Sequence, residues 1–247
     1  HRRFLVEGPQ GVREAVRHAP GRVLDVYLTE AALERHSEIW DEAVAAGLYV
    51  HVTTQQVMDA MSPDAQGLLA VVATEEVTGS EALAAALEGA RLVAVLTQAQ
   101  DPGNAGTIIR AADAAGADAV VLVRGSVDPT APKVVRSTAG SLFHLPVVTG
   151  VALDDAVTAL HNAGLTVLAA DGRGDFDLFE AESLLEAPSA WLLGNEAHGL
   201  PSEALSRADA VVSIPIYGKA ESLNVAAAAA VCLYASARAQ AQHSGRS

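Results

Sequence analysis

From one end of the chain to the other, short continuous apolar runs alternate with segments whose apolar positions recur every three or four residues. The first pattern predicts buried strands and the second amphipathic helices. RRFLVEG reads as a strand closed by Gly8-Pro9, and QGVREAVRHA as a short helix ending near Pro20. RVLDVYLT is a second strand, EAALERHSEIWDEAVAAG one amphipathic helix stopped by Gly47, and LYVHVT a third strand. A short helix around QQVMDAM and the strand GLLAVVA complete a compact α/β unit over residues 1–74, and the acidic stretch 75–90 reads as a linker. A second unit, 91–241, opens on RLVAVLTQ, apolar enough to be buried on both faces of a parallel sheet. DAVVLV, a short extended HLPVVTG, LTVLAAD, SAWLLGN and AVVSIPI are its other strands. Helices are expected in DPGNAGTIIRAADAAG (101–116), near APKVVRSTAG, in LDDAVTALHNAG and in SLNVAAAAAVCLYASARAQAQ, and a disordered tail over 242–247. By periodicity alone the fold class is α/β, a doubly wound, mostly parallel sheet flanked by helices.

In such sheets ligands sit beyond the carboxyl ends of the strands. Three predicted strand ends carry small or amide-bearing residues with a carboxylate nearby: LTQ runs into AQDPGNAG, WLLGN into EAHGLP, and SIPI into YGKAESLN. One such loop is a turn; three point to a site with main-chain contact to a neutral or zwitterionic ligand. Arg110 adds a charge to a helix whose neighbours are Ile108, Ile109, Ala111 and Ala112. A guanidinium stays charged at any working pH, so a buried one needs a partner, with Asp113 one turn away, or a ligand.

Composition narrows the chemistry. Half of the 247 residues are apolar and 4% aromatic, so the core is Val, Leu, Ile and Ala. No apolar run is long enough for a membrane span, no secretory signal pattern opens the chain, and the expected location is the cytoplasm. The single cysteine, Cys232, lies in an Ala-rich helix and reads as a small buried hydrophobe. The eight histidines are scattered without metal-ligand spacing, so no metal site is expected. The net charge of −14 argues against broad polyanion binding. Residues 1–90 carry 6 basic and 14 acidic side chains, residues 91–247 carry 10 and 16. A nucleic-acid contact therefore needs a local patch, for which Arg2, Arg3, Arg13, Arg17 and Arg22 are the candidates.

Two common chemistries lose their support. LAADGRGDFD offers Gly172 and Gly174 after a strand, but Asp177 holds the third glycine position of a dinucleotide fingerprint and no good helix follows. The chain has neither a Gly-Lys-Ser/Thr phosphate loop nor a Gly-x-Ser-x-Gly elbow.

Taken in order, NAGTIIRAADAAG, LLGNEAHGL and IPIYGKAESLNVAAAAA resemble the three signature motifs of the SpoU-type (TrmH-like) RNA ribose 2′-O-methyltransferases of the SPOUT class. VVRSTAGSLFHLPV is similar to that family's intermediate segment, and the N-terminal unit resembles its ribosomal-protein L30e-like substrate-binding domain. The resemblance implies a deep trefoil knot in the second unit, S-adenosyl-L-methionine bound within it, and a homodimer formed through that unit. It implies an RNA substrate, 23S ribosomal RNA first, with transfer RNA or a non-catalytic RNA-binding role as alternatives. The implied cofactor-binding residues are Leu193, Gly194, Gly199, Ile214, Pro215 and Leu223, with Leu200 as a further wall. The implied catalytic set is Arg110, Asn104, Glu196, Ser222 and Asn224, with Arg110 set against the target nucleotide. Asn104 and Ser222 also read as helix N-caps, and His198 as an exposed loop residue.

Overall fold

The computed structural model describes residues 2–75, 77–195 and 199–244, the side chains of 243 and 244 excepted. Strands run β1 (Arg3–Glu7), β2 (Val23–Thr29), β3 (Tyr49–Thr53), β4 (Leu68–Ala73), β5 (Leu92–Leu96), β6 (Ala119–Val123), β7 (Val147–Val151), β8 (Thr166–Ala170), β9 (Phe176–Asp177), β10 (Ser189–Leu193) and β11 (Ala210–Ser213). Helices run α1 (Pro9–His18), α2 (Glu30–Arg35), α3 (Ser37–Ala45), α4 (Gln55–Met61), α5 (Gly79–Ala86), α6 (Pro102–Ala114), α7 (Pro132–Thr138), α8 (Leu153–Asn162), α9 (Glu182–Leu185), α10 (Ser202–Arg207) and α11 (Val225–Ser244). Contacts divide the chain into two units, His1–Glu76 with Asp128–His144, and Val77–Val127 with Leu145–Ser247.

The first unit holds a mixed sheet of order β1-β4-β2-β3, in which β4 is antiparallel to both neighbours and β3 parallel to β2. Helix α1 buries Val12, Ala15 and Val16, the i, i+3, i+4 stripe that its sequence spells, against a core with Val6, Val26 and Leu28. The expected single helix 30–47 is two, because His36 leaves the helical region at φ −135°, ψ 43° between α2 and α3. Segment 128–144 belongs to this unit, far in sequence from the rest of it. The apolar side of α7 explains why: Val135 joins the first unit's core, and Phe143 stacks on Phe4 with ring centroids 6.4 Å apart.

The second unit holds a sheet of order β7-β6-β5-β10-β8-β11-β9, parallel throughout. Every residue of β5, β6 and β10 is buried, as continuous apolar runs require. The stretch expected as a linker contains α5, and its Leu83 and Leu87 enter this unit's core. Helix α11 runs on to Ser244, past the point where a tail was expected. Polar bonds on its inner face hold it: the Trp191 indole donates to Ser236 Oγ at 2.9 Å, and Gln240 Nε2 donates to the carbonyls of Arg91 and Ala187 at 3.1 and 3.0 Å. Cys232 is fully buried on the same helix, and burial pushes its thiol up to about 12, so it is an inert small hydrophobe at neutral pH.

Candidate active site

Parallel strands end at one edge of their sheet, and here the register lines up four ends. Leu96 of β5 lies opposite Leu193 of β10, Ala169 of β8 opposite Leu192, and Val212 of β11 opposite Ala170. The loops leaving these four adjacent strands therefore meet. Thr97, just past β5, donates both its N–H and its hydroxyl to the Leu193 carbonyl, each at 2.9 Å. Asn195 Nδ2 donates to the Gln98 carbonyl at 3.0 Å, tying the first loop to the second.

The first and third loops are tied by side chains. Asn224 Nδ2 donates to Asn104 Oδ1 at 3.1 Å, across 120 positions of sequence. The other end of the same amide, Asn224 Oδ1, accepts from the N–H groups of Ala226 and Ala227 at 2.9 and 3.3 Å. Asn224 thus caps α11, and the expectation that Ser222 does so is corrected. The cap of α6 is likewise not Asn104 but Asp101, whose Oδ1 accepts from the Asn104 N–H at 2.7 Å. In both places the residue directly before the first helical position is the cap, which leaves the Asn104 side chain available to bridge the loops.

Beneath these ties lies a cavity of about 450 Å³, within the range of about 300–1,000 Å³ typical of small-molecule sites. Gly194, Gly199, Ile214, Ser222, Leu223 and Asn224 line it. Leu193 and Leu200 do not: both are buried in the core, and Pro215 also stands outside the lining. Gly194 is required by contact. A Cβ there would fall 2.5 Å from the Gly199 carbonyl carbon and 2.7 Å from the Leu200 nitrogen, backbone atoms that have no room to yield. Gly199 itself has φ +66°, and its backbone exchanges hydrogen bonds with Asn195 at 3.0 and 2.9 Å, closing the second loop.

Glu221, the carboxylate of YGKAESLN, also lines the cavity, as do Asp171 and Gly172, which sequence reasoning missed. The overlooked signal was the end of LTVLAAD, a fourth strand end set aside when its glycines failed the dinucleotide pattern. Arg173 grips Asp171 with two bonds, Nε to Oδ1 at 2.8 Å and Nη2 to Oδ2 at 3.0 Å. That grip holds the Asp171 carboxyl below the usual range, so the cavity keeps an ionised, arginine-paired carboxylate in its wall.

Arg110 sits on the exposed side of α6, while Ala105, Gly106, Ile108, Ile109 and Ala112 turn inward. The expectation of a mostly buried arginine is corrected: the apolar neighbours occupy the other face. Among the described residues, no hydrogen bond or ion pair reaches its guanidinium. Glu196 and His198 lie outside the described residues.

In the first unit, Arg2 and Arg3 are exposed, and the other three expected RNA-facing cations are engaged with carboxylates. Arg17 makes bonds of 2.7 and 2.6 Å to Glu42, and Arg13 one of 3.1 Å to Glu38. Arg22 reaches Glu75 at 3.0 Å and lies over the Phe143 ring.

Comparison with known proteins adds an independent line. The family described as "SpoU rRNA Methylase family" matches residues 91–234, and "RNA 2'-O ribose methyltransferase substrate binding" matches residues 5–78. The chain is 35% identical, over 94% of its length and 87% of the other's, to the 23S rRNA (guanosine(2553)-2'-O)-methyltransferase of Bacillus subtilis. It is 34% identical to the 23S rRNA (uridine(2479)-2'-O)-methyltransferase of Streptomyces viridochromogenes, over 95% of this chain and 82% of that protein. Among solved structures, the SpoU methyltransferase AviRb of Streptomyces viridochromogenes in complex with AdoMet superposes with a TM-score of 0.81 at 29% identity, covering 98% of this chain and 92% of that one. An AdoMet-bound rRNA methyltransferase from Sinorhizobium meliloti gives 0.78 at 30% identity, covering 96% and 87%.

Proposed function

The chain belongs to the SpoU rRNA methylase family, and from that premise we propose that it methylates a ribose 2′-hydroxyl of 23S ribosomal RNA, using S-adenosyl-L-methionine. The observation that carries the reading is the Asn224–Asn104 bond of 3.1 Å, which draws the first and third loops together over the cavity that Gly194 leaves open.

The cavity suits the cofactor's adenosine part. Backbone N–H and C=O groups of the second and third loops can read an adenine edge, because Gly194 permits close approach, and Ile214 and Leu223 offer apolar walls. Glu221 places a carboxylate on the lining, complementary to a cationic ligand, while Asp171 stays ionised in its pair with Arg173. S-adenosylmethionine, when bound, supplies an already activated sulfonium methyl group, so the protein's task is binding, alignment and exclusion of water. Arg110, on the exposed side of α6, is suited to hold the 2′-oxygen of an incoming nucleotide and its neighbouring phosphate. Asn104, on the same helix and bonded to Asn224, fixes where that helix starts relative to the third loop. Ser222 joins Asn224 at the cavity rim, and Glu196 is assigned to orienting the arginine by the family pattern alone.

The N-terminal unit is the RNA-gripping part of this reading, with Arg2 and Arg3 as its exposed cations. The homodimer belongs to the same reading and is supported by an apolar groove along α11, where Phe179 and Tyr234 are 55% and 53% exposed. The trefoil knot does too, supported by a sheet order in which β10 inserts between β5 and β8. No described helix is long and apolar enough to cross a membrane, consistent with work on ribosomal RNA in the cytoplasm.

The test is calorimetry with S-adenosylmethionine, followed by incubation of cofactor and protein with 23S ribosomal RNA and with transfer RNA, the methylated ribose being mapped by mass spectrometry. Saturable binding and one 2′-O-methyl group on 23S ribosomal RNA are expected. Modification of transfer RNA alone reassigns the substrate, and absence of cofactor heat refutes the enzyme.

A further inference from the structure

One side-chain cluster in the first unit is untouched by the methyltransferase reading. Glu14 and His18 stand one turn apart on α1, so both project from the same face. His144 arrives from 130 positions further on, at the end of the turn Ser141–Phe143. Glu14 Oε2 lies 3.2 Å from His18 Nε2 and 3.0 Å from His144 Nε2, and the three atoms all fall within 4.8 Å of one another.

We propose that Glu14, His18 and His144 form a transition-metal site of the Zn²⁺ class. Zinc bonds to imidazole nitrogen and carboxylate oxygen at about 2.0–2.2 Å, so ligand atoms round a tetrahedral ion sit about 3.4 Å apart. Both spacings to Glu14 Oε2 are close to that value before any ion is bound. Two imidazoles and one carboxylate favour zinc, cobalt or nickel over magnesium or calcium, which take oxygen ligands. The set leaves a fourth position to water, as three-ligand zinc sites do.

The frame around the cluster is preorganised. Gly140 has φ +100°, and a Cβ there would fall 2.3 Å from Glu14 Cγ, so only glycine lets the turn pack this closely on the ligand's stem. Phe143, next to His144, stacks on Phe4 and carries the Arg22 guanidinium over its ring. The imidazoles meet edge to face, centroids 4.5 Å apart. The cations of the same helix are neutralised elsewhere, Arg13 by Glu38 and Arg17 by Glu42, which lowers the repulsion an ion would meet. An ion here staples segment 128–144 to α1, and so stabilises the folded unit by mass action.

Full-length protein, stripped with EDTA and dialysed, is titrated with ZnCl₂ by calorimetry and with CoCl₂ by visible absorption. One saturable ion per chain is expected, with cobalt bands in the visible and a higher melting temperature. His18→Ala, His144→Ala and the shape-conserving Glu14→Gln each weaken zinc binding at least about 100-fold, beyond the 10–100-fold typical of residues outside the ligand set. His51→Ala, which removes a different imidazole–carboxylate contact of 3.0 Å, leaves zinc binding unchanged. S-adenosylmethionine affinity is the same in all four variants. No saturable uptake by the folded wild-type protein overturns the proposal, as does uptake that the three cluster variants retain.

Discussion

The two units differ in what their polar side chains hold together, although both pair arginines with carboxylates, the second through Arg173 with Asp171 and Arg207 with Asp154. On the first, guanidinium groups are matched with carboxylates: Arg13 with Glu38, Arg17 with Glu42, and Arg136 with both Glu7 and Asp64. On the second, at the carboxyl edge of the parallel sheet, amides bind loops to one another and Arg110 stays exposed without a described partner. The Arg13 and Arg17 pairs, on helix surfaces, settle charge locally and contribute little to stability. Amide bridges between strand ends do something else: they join the loops after β5, β10 and β11 into one rim. The difference teaches where chemistry is to be sought, since an exposed charge left unmatched on a helix tied to the cavity's rim through Asn104 and Asn224 is available to a substrate.

The contrast can be broken most severely at Gly194. Gly194→Ala drives a methyl into the Gly199–Leu200 backbone; overpacking of this kind costs roughly 1–3 kcal/mol, and loss of detectable S-adenosylmethionine heat is expected alongside it. Denaturant melts and calorimetry read both. Arg110→Ala comes next. Because the side chain is exposed, the fold is unaffected, but methyl transfer falls by about 10²–10³-fold, the scale for removing one preorganised charge donor, with cofactor affinity essentially unchanged. Turnover near wild type in that variant would remove Arg110 from the site.

Asn224 separates architecture from chemistry. Asn224→Ala loses both the α11 cap and the bridge, at about 1 kcal/mol for the cap. Asn224→Asp keeps an acceptor for the N–H groups of Ala226 and Ala227 but has no donor for Asn104. Stability is restored in the aspartate variant while kcat stays depressed; equal rescue of both would make the bridge irrelevant.

A pH effect should be seen at Asp171. Its carboxyl is depressed mainly by the Arg173 bonds, so its contribution to stability is full above the ordinary carboxylate range and is lost as pH falls through the lowered folded value. Acid unfolding of the wild type is therefore steeper than that of Asp171→Asn. The smallest effect belongs to the first unit: Arg17→Ala gives no measurable change in melting temperature, since its pair with Glu42 is solvent-screened.

Much of this was legible in the chain. Continuous apolar runs marked β5, β6 and β10, and the alternation of runs with helical periodicity marked the α/β class, because burial on both faces leaves no room for polar positions. The small and amide residues after three strands located the rim, and the ordered motifs identified the family. The cap assignments slipped by short steps, Asp101 for Asn104 and Asn224 for Ser222, because several residues near a helix start can accept from its free N–H groups and only the backbone path selects one. Arg110 was read as buried because composition does not tell which face of a helix a charge occupies.

The sequence by itself determined the class of fold, the strands that are buried throughout, and the loops that carry the chemistry, since these follow from local hydrophobicity and residue type. Only the tertiary structure decided which distant side chains meet. Asn104 finds Asn224 across 120 positions, Glu14 finds His144 across 130, and Val135 joins the first unit's core, because sheet order and apolar burial, not spacing along the chain, bring such atoms within reach.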